Sequence, residues 1–297
     1  MRLETVQVSR DTLIHDLRLI LEPVDKDLWR DYKYPNAKHT EITHRASRAL
    51  VEKVNAVFPF AEAVSILDIA CGNGAVFNEL FASGIEVAET AELLGVDISQ
   101  PMVSQIHERQ AAADPADAKT WKRVRAWVED ATNLSSLLTG SQTHVLSQMG
   151  IFMFPDYSQA LSEAQRVLTP DGIFAMSAMS RSAWNDDVIP IIEKMHPDLQ
   201  LPRIKEVWQD TKLFQAELEK HEFVKVQVSE VPLSMHFDSP EDLINGLWKA
   251  LPYLKNTVKG LSEEQIQACK DAMVKKVAED YPNNELPGIV LMAVARV

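Results

Sequence analysis

What most constrains the fold is an alternation along the chain. Short apolar runs at Ser65–Ala70, Leu93–Asp97, Val124–Val128, His144–Met149 and Gly172–Met179 read as strands, and helix-length amphipathic segments lie between most of them. A strand followed by a helix returns to the sheet parallel to its predecessor, so repeated units of this kind build a parallel sheet covered on both faces. The fold class is therefore α/β and Rossmann-like. His221–Ser229 and Gly288–Val297 read as two further strands, for a mostly parallel sheet of about seven, within the usual range.

The flanking segments complete the organisation. Residues 1–60 read as an N-terminal helical cap, with one apolar stripe at Leu13, Ile14, Leu17 and Ile20 and another at Ile42, Ala46, Ala49, Leu50, Val54 and Val57. Residues 61–230 form the cofactor-binding core. Residues 231–286 form a helical insertion, and 287–297 the final core strand. Within the insertion, Ser239-Pro240-Glu241-Asp242 and Ser262-Glu263-Glu264-Gln265 are helix starts. The stripes Leu243, Ile244, Leu247, Trp248, Leu251 and Ile266, Cys269, Met273, Val277 are expected to pack over the sheet's C-terminal edge as a lid.

Strand one runs into Asp68-Ile69-Ala70-Cys71-Gly72-Asn73-Gly74 and then a helix. In an open α/β sheet, ligands bind beyond the carboxyl ends of the strands, where a glycine turn lets them approach the backbone and the next helix offers free N–H groups. A dinucleotide fingerprint wants a third glycine at the position of Phe77, so that phosphate motif is incomplete. Asp68 points the same way, because a carboxylate there repels pyrophosphate and suits a cationic amino-acid cofactor such as S-adenosylmethionine. Asp97 closes strand two, 23 residues after Gly74, a spacing that suits a carboxylate on both ribose hydroxyls. After strand three, Asp130 is placed to accept from an adenine amino group and Ala131 to offer its backbone N–H.

The net charge of -13, from 30 Lys and Arg against 43 Asp and Glu, repels phosphate backbones and anionic membranes. Nucleic acid and membrane are not expected partners. No apolar run approaches the ~20 residues that span a bilayer, and Met1–Arg10 lacks the pattern of a secretory leader. Cys71 and Cys269 have no metal-ligand partners at zinc-like spacing, so neither a disulfide framework nor a metal site is expected, and the compartment reads as reducing, hence cytoplasmic. The oligomeric state stays open.

With these residues in hand, the chain resembles the class I S-adenosylmethionine-dependent methyltransferases. Asp68–Gly74 matches their D-x-G-x-G-x-G pattern at all but one position, and Arg166-Val167-Leu168-Thr169-Pro170-Asp171-Gly172-Ile173 looks like their turn before strand five. Ala70 replaces the first glycine, which is tolerable if φ is negative there and adds a methyl near the cofactor. A narrower similarity, to fungal secondary-metabolite methyltransferases such as the gliotoxin bis-thiomethyltransferase, is carried by Tyr32-Lys33-Tyr34, Ile42-Thr43, Phe154-Pro155-Asp156, Trp184 with Ile189-Pro190, and Leu251-Pro252-Tyr253-Leu254. The resemblance implies that Tyr32, Tyr34 and Thr43 close over the methionine end, and that Asp68, Ala70, Gly72, Gly74, Asp97, Ile98, Met102, Asp130, Ala131 and Met149 hold S-adenosylmethionine and its product S-adenosylhomocysteine.

Methyl transfer from a sulfonium is an in-line displacement that needs alignment, exclusion of water and, for O–H or S–H acceptors, removal of a proton. Phe152, Phe154, Trp184 and Trp248 are the candidate walls for a small, hydrophobic or aromatic acceptor. His39, in the segment expected to fold across the site, is the candidate base; His44 shares that role less well, and His144 and His221 read as structural. The expected activity is O- or S-methylation of a natural-product-like molecule. The alternatives are an isomerase or cyclase on the methyltransferase fold, and a cofactor-binding regulator.

Overall fold

The computed structural model describes residues 27–32, 41–112 and 120–297. The expected helical stripe at Leu13–Ile20 lies outside them, as do Tyr34 and His39. The helices are α1 (Asp27–Arg30), α2 (Glu41–Val57), α3 (Ala75–Ala82), α4 (Gln100–Ala112), α5 (Tyr157–Val167), α6 (Pro190–Met195), α7 (Thr211–Lys220), α8 (Pro240–Ala250), α9 (Pro252–Thr257) and α10 (Glu263–Asp280). The strands are β1 (Ser65–Ile69), β2 (Glu92–Asp97), β3 (Val124–Val128), β4 (Gln142–Gln148), β5 (Leu168–Ser182), β6 (Val224–His236) and β7 (Glu285–Arg296).

One seven-stranded sheet has the order β3-β2-β1-β4-β5-β7-β6. Strands β1 to β5 pair in parallel, and β7 lies antiparallel between β5 and β6. Because side chains alternate along a strand, neighbouring residues of β1 serve opposite faces. Ile66 packs with Leu50, Val54 and Phe77 from α2 and α3. Leu67 and Ile69 pack with Leu161, Phe214 and Leu218 from α5 and α7. Both faces of the sheet are therefore sealed, and ligand access is confined to the strand ends.

The chain leaves β1 toward β2 on one side, and β4 takes the other side. That reversal opens a crevice between the carboxyl ends of β1 and β4, the place where such sheets bind ligands. The last two strands run longer than their sequence pattern implies. β6 continues to His236 and β7 begins at Glu285, so the expected insertion at 231–286 has strand at both ends and its helices fall between them. Alternating Val231, Leu233 and Met235 extends the ladder, which pairs without interruption from Gln227 to His236. The caps of α8 and α10 form as the sequence implies: Ser239 accepts from Asp242 N–H, and Ser262 and Gln265 make a reciprocal capping box. These helices build a third core, in which Leu243, Ile244 and Met273 meet Trp184, Val188 and Ile192.

His144 is structural, as its place at a strand start implies. Its ring is fully buried and stacked on Phe58 and Phe60, with Nε2 3.1 Å from the Phe58 carbonyl. Burial holds its pKa down to about 4, so it stays neutral at pH 7. His221 likewise sits between the hydroxyls of Ser158 and Ser162.

Candidate active site

A cavity of about 840 Å³ opens at the β1–β4 crevice, near the upper end of the range for small-molecule sites. The turn after β1 forms its floor. Ala70, Gly72 and Gly74 take φ values of +56°, +53° and +83°. Three left-handed positions in five residues coil the chain tightly, and the turn is tied down: Cys71 N–H donates to the Val96 carbonyl and Gly74 N–H to the Cys71 carbonyl.

Ala70 departs from the negative φ expected of an alanine. An L-residue in that region costs about 1–2 kcal/mol, and close packing holds it there. A Cβ added to Gly150 would lie 2.6 Å from the Ala70 methyl and 2.9 Å from Ser147 Oγ. Gly150 thus makes room for Ala70, where glycine would have been the simpler choice. We expect Gly150→Ala to cost about 1–3 kcal/mol by overpacking and Ala70→Gly to be neutral or stabilising by up to about 1 kcal/mol. In the double variant the two should couple by at least about 0.5 kcal/mol in the favourable direction, read from denaturant unfolding; simple additivity would show that the two sites do not press on each other.

Asp68 closes β1. It is 1% exposed, lines the cavity, and neither carboxylate oxygen has a hydrogen-bond partner among the described residues. Burial, and next the nearby Asp97, push its pKa well above the usual carboxylate range. A buried carboxylate without partners is costly, and this one faces open space rather than a neighbouring donor. It is chemically suited to a cation. One strand away, Gln148 is buried and also leaves its Nε2 without an acceptor. The pairing of Asp68 with Leu146 puts Asp68 and Gln148 on the same sheet face. An acceptor-only group and an amide donor therefore line the same crevice, a pattern matched to the ammonium and carboxylate of an α-amino acid.

Asp97 ends β2. Its Oδ2 accepts from Gly72 N–H and its Oδ1 from Ser99 N–H, each at 2.8 Å. The carboxylate thereby braces the glycine turn, and each oxygen keeps lone-pair capacity for a hydroxyl. Burial raises its pKa against these two N–H bonds. Ser99 Oγ donates to the Tyr32 carbonyl at 2.7 Å, tying the aromatic segment Trp29–Tyr32 to the end of β2. Asp130 lines the wall beside Ala131, with Oδ1 accepting from both the N–H and the hydroxyl of Thr132.

Of the residues singled out in the sequence, Tyr32, Thr43, Asp68, Ala70, Gly72, Asp97, Ile98, Met102, Asp130, Ala131, Met149, Phe152, Phe154 and Trp184 all line this cavity. Two do not. Gly74 caps α3 from the turn's far side, where a Cβ would meet the Trp121 ring at 3.3 Å. Trp248 is buried on α8, with the Lys270 ammonium of α10 5.2 Å from its ring centroid, so it packs between helices and does not wall the acceptor. His44 pairs with Glu79 at 2.9 Å, clamping α2 to α3 away from the cavity.

Several lining residues carried no local sequence signal as site residues. Gln148 ends an otherwise ordinary strand. Lys205 comes from the loop before α7, and Tyr253 from α9. The π-turn Trp184–Val188 following β5 carries Trp184 and Asn185 to the same wall.

Comparison with known proteins agrees with this architecture. Residues 67–176, which hold Asp68, Asp97, Asp130 and Gly150, match the family model described as a methyltransferase domain. The chain is 27% identical over 251 residues to methyltransferase ucsB of Acremonium sp, covering 83% of this chain and 85% of that protein. Among solved structures, the YcgJ protein of Bacillus subtilis superposes with a TM-score of 0.54 at 15% identity, covering 85% of this chain and 98% of its own. The [4+2]-cyclase SpnF does so at 0.51 and 17%, covering 90% and 86%; both likenesses are of fold. The sheet, the motif after β1 and these matches together support a class I S-adenosylmethionine-dependent methyltransferase, with residues 67–176 matching its methyltransferase domain. Among the described residues no helix is long and apolar enough to cross a membrane.

Proposed function

We propose that the chain transfers the methyl group of S-adenosylmethionine to an oxygen or sulfur of a small, hydrophobic or aromatic, natural-product-like molecule. The observation that carries this reading is the pair of unpartnered, buried Asp68 oxygens at the β1–β4 crevice, flanked by the Asp97-braced glycine turn. Asp68 would hold the cofactor's ammonium, Asp97 its ribose hydroxyls, and Asp130 with Ala131 its adenine. Tyr32 and Thr43 would cover the methionine end. When bound, the cofactor supplies an electrophilic methyl group.

The remainder of the cavity serves the acceptor. Phe152, Phe154, Met179, Trp184 and Leu247 make a largely apolar wall, which excludes water and orients a flat molecule. Helices α8 to α10 would act as the lid over it. Among the described residues no histidine lines the cavity, so His39, outside them, is the base to substitute first. The test is a mass-shift screen of phenols, thiols and amines with S-adenosylmethionine: a gain of one methyl on a phenol or thiol supports the reading. Conversion of an acceptor without added methyl, the outcome that fold likeness to a cyclase brings to mind, would replace it.

A further inference from the structure

Tyr253 enters the acceptor half of the cavity from α9, and Trp184 from the π-turn after β5. Trp184 Nε1 lies 3.3 Å from the Tyr253 hydroxyl. An indole nitrogen can only donate, which fixes the roles in this pair: the Tyr253 oxygen accepts, and its own proton points elsewhere. Among the described residues no acceptor takes that proton. The phenol is thus held by a neighbour with its donor left over, on a wall shared with Phe152, Phe154 and Leu247.

We propose that Tyr253 is the hydrogen-bond donor that recognises the methyl acceptor, and that the acceptor it selects presents an oxygen bound as an oxyanion, an acidic phenol or enol rather than an amine. The inference rests on the methyl-transfer reading and adds to it the chemistry of the acceptor and the residue that reads it. Two further observations point the same way. Burial pushes the Tyr253 hydroxyl far above the ordinary phenol value, so it stays protonated and serves as donor and not as base. Lys205 adds a cation to the same cavity: its ammonium lies 4.4 Å from the Tyr157 ring centroid and forms no salt bridge among the described residues. Asp156 and Glu217 are the carboxylates whose charge reaches it, and burial is the larger influence, lowering its pKa. The other lining cation, Arg203, is already paired with Glu193.

An acceptor bound as its anion also lets the reaction balance without a histidine base on the described wall. The acceptor loses its proton to water before transfer. An oxygen lone pair then forms the O–C bond while the C–S bond breaks, and its electron pair remains on sulfur. Anion plus sulfonium yields a neutral ether and a neutral thioether.

The test uses the full chain saturated with S-adenosylhomocysteine and 4-nitrophenol as probe, whose phenolate absorbs visible light. A hydrogen bond to the charged form favours ionisation, so the bound probe should ionise about one pH unit below the free probe. Tyr253→Phe should abolish most of that shift and weaken phenolate binding about tenfold. Trp184→Phe, which frees the hydroxyl to turn, should give a smaller loss. A shift that survives Tyr253→Phe and vanishes in Lys205→Met would overturn the proposal in favour of the lysine. So would failure of the cofactor-loaded protein to bind the probe. Calorimetry of S-adenosylhomocysteine on each variant reports the cofactor site separately, so collapse of the methyl-transfer reading is distinguishable from failure of the Tyr253 assignment.

Discussion

Asp97→Ala is expected to weaken S-adenosylmethionine binding by about 100-fold, the largest effect of any single substitution in the site. The carboxylate has two tasks. It accepts the Gly72 and Ser99 N–H groups at 2.8 Å, fixing the glycine turn against the end of β2, and on the proposed reading it also accepts the ribose hydroxyls. Removing it leaves two buried donors unmet, at about 1–3 kcal/mol each, and deletes the contacts to the sugar. A net loss of about 3 kcal/mol in binding corresponds to roughly 100-fold in affinity. Asp97→Asn should fall between, because an amide oxygen can accept only one of the two N–H groups. Titration calorimetry separates the three; equal affinity in all of them would remove Asp97 from the site.

The second large effect is that of Asp68→Asn, and it has opposite signs in the free and bound protein. In the free protein the carboxyl has no partner among the described residues and its pKa is raised by burial. The folded state therefore holds this proton more tightly than the unfolded chain does. Stability contributed by the protonated group is full below the unfolded carboxylate value and is lost as pH climbs toward the raised folded value. Replacing the acid with its neutral isostere removes that loss, and we expect the free variant at neutral pH to be more stable by about 1–3 kcal/mol. For a chain of this size that is a melting temperature higher by about 4 °C. Cofactor binding should instead weaken about 50-fold, because a charge-assisted contact to the ammonium is gone. The pH dependence adds a signature. A bound cation favours the ionised carboxylate, so wild-type affinity should rise with pH until the raised Asp68 value is passed, with release of a proton on binding. In Asp68→Asn this dependence should flatten. A variant less stable than wild type when free, with unchanged affinity, would contradict the assignment.

How much of this was legible in the sequence depends on whether a residue's role is local or set by its neighbours. The parallel sheet and the crevice follow from alternation of strands and helices, and the glycine turn announces itself because few residues tolerate its backbone. The acids Asp68, Asp97 and Asp130 are legible because each lies at or within two residues of a strand's carboxyl end, and in such a sheet those ends converge. The left-handed φ of Ala70 has no local mark in the sequence, and the space for its methyl is left by a residue 80 positions away, Gly150. Trp248 belongs to a clear helical stripe, but a stripe does not say whether its largest member faces a cavity or the next helix, and here α10 covers it. Gln148 carried no periodic or motif signal, and Tyr253 stood only within the segment Leu251-Pro252-Tyr253-Leu254, with no role attached to it. Each matters because a donor is left over after packing, which only the assembled hydrogen-bond pattern reveals.

The long β6 and β7 make the same point on a larger scale. Their sequence reads as strand near the core, yet both continue beyond it to bring Met235, Leu286 and Pro287 to the cavity. The alternation Val231, Leu233, Met235 carries β6 on, and its pairing with β7 carries the partner strand back to Glu285.

The central claim is that the turn after β1, with Asp68 and Asp97 beside it, is a pocket for a sulfonium amino-acid nucleoside. Titration calorimetry of the unmodified protein with S-adenosylmethionine tests it most directly. Saturable binding at one site per chain is expected, with a dissociation constant in the micromolar range, about -8 kcal/mol, accompanied by proton release that disappears in Asp68→Asn. Absence of heat together with an unchanged melting temperature at millimolar cofactor would contradict it.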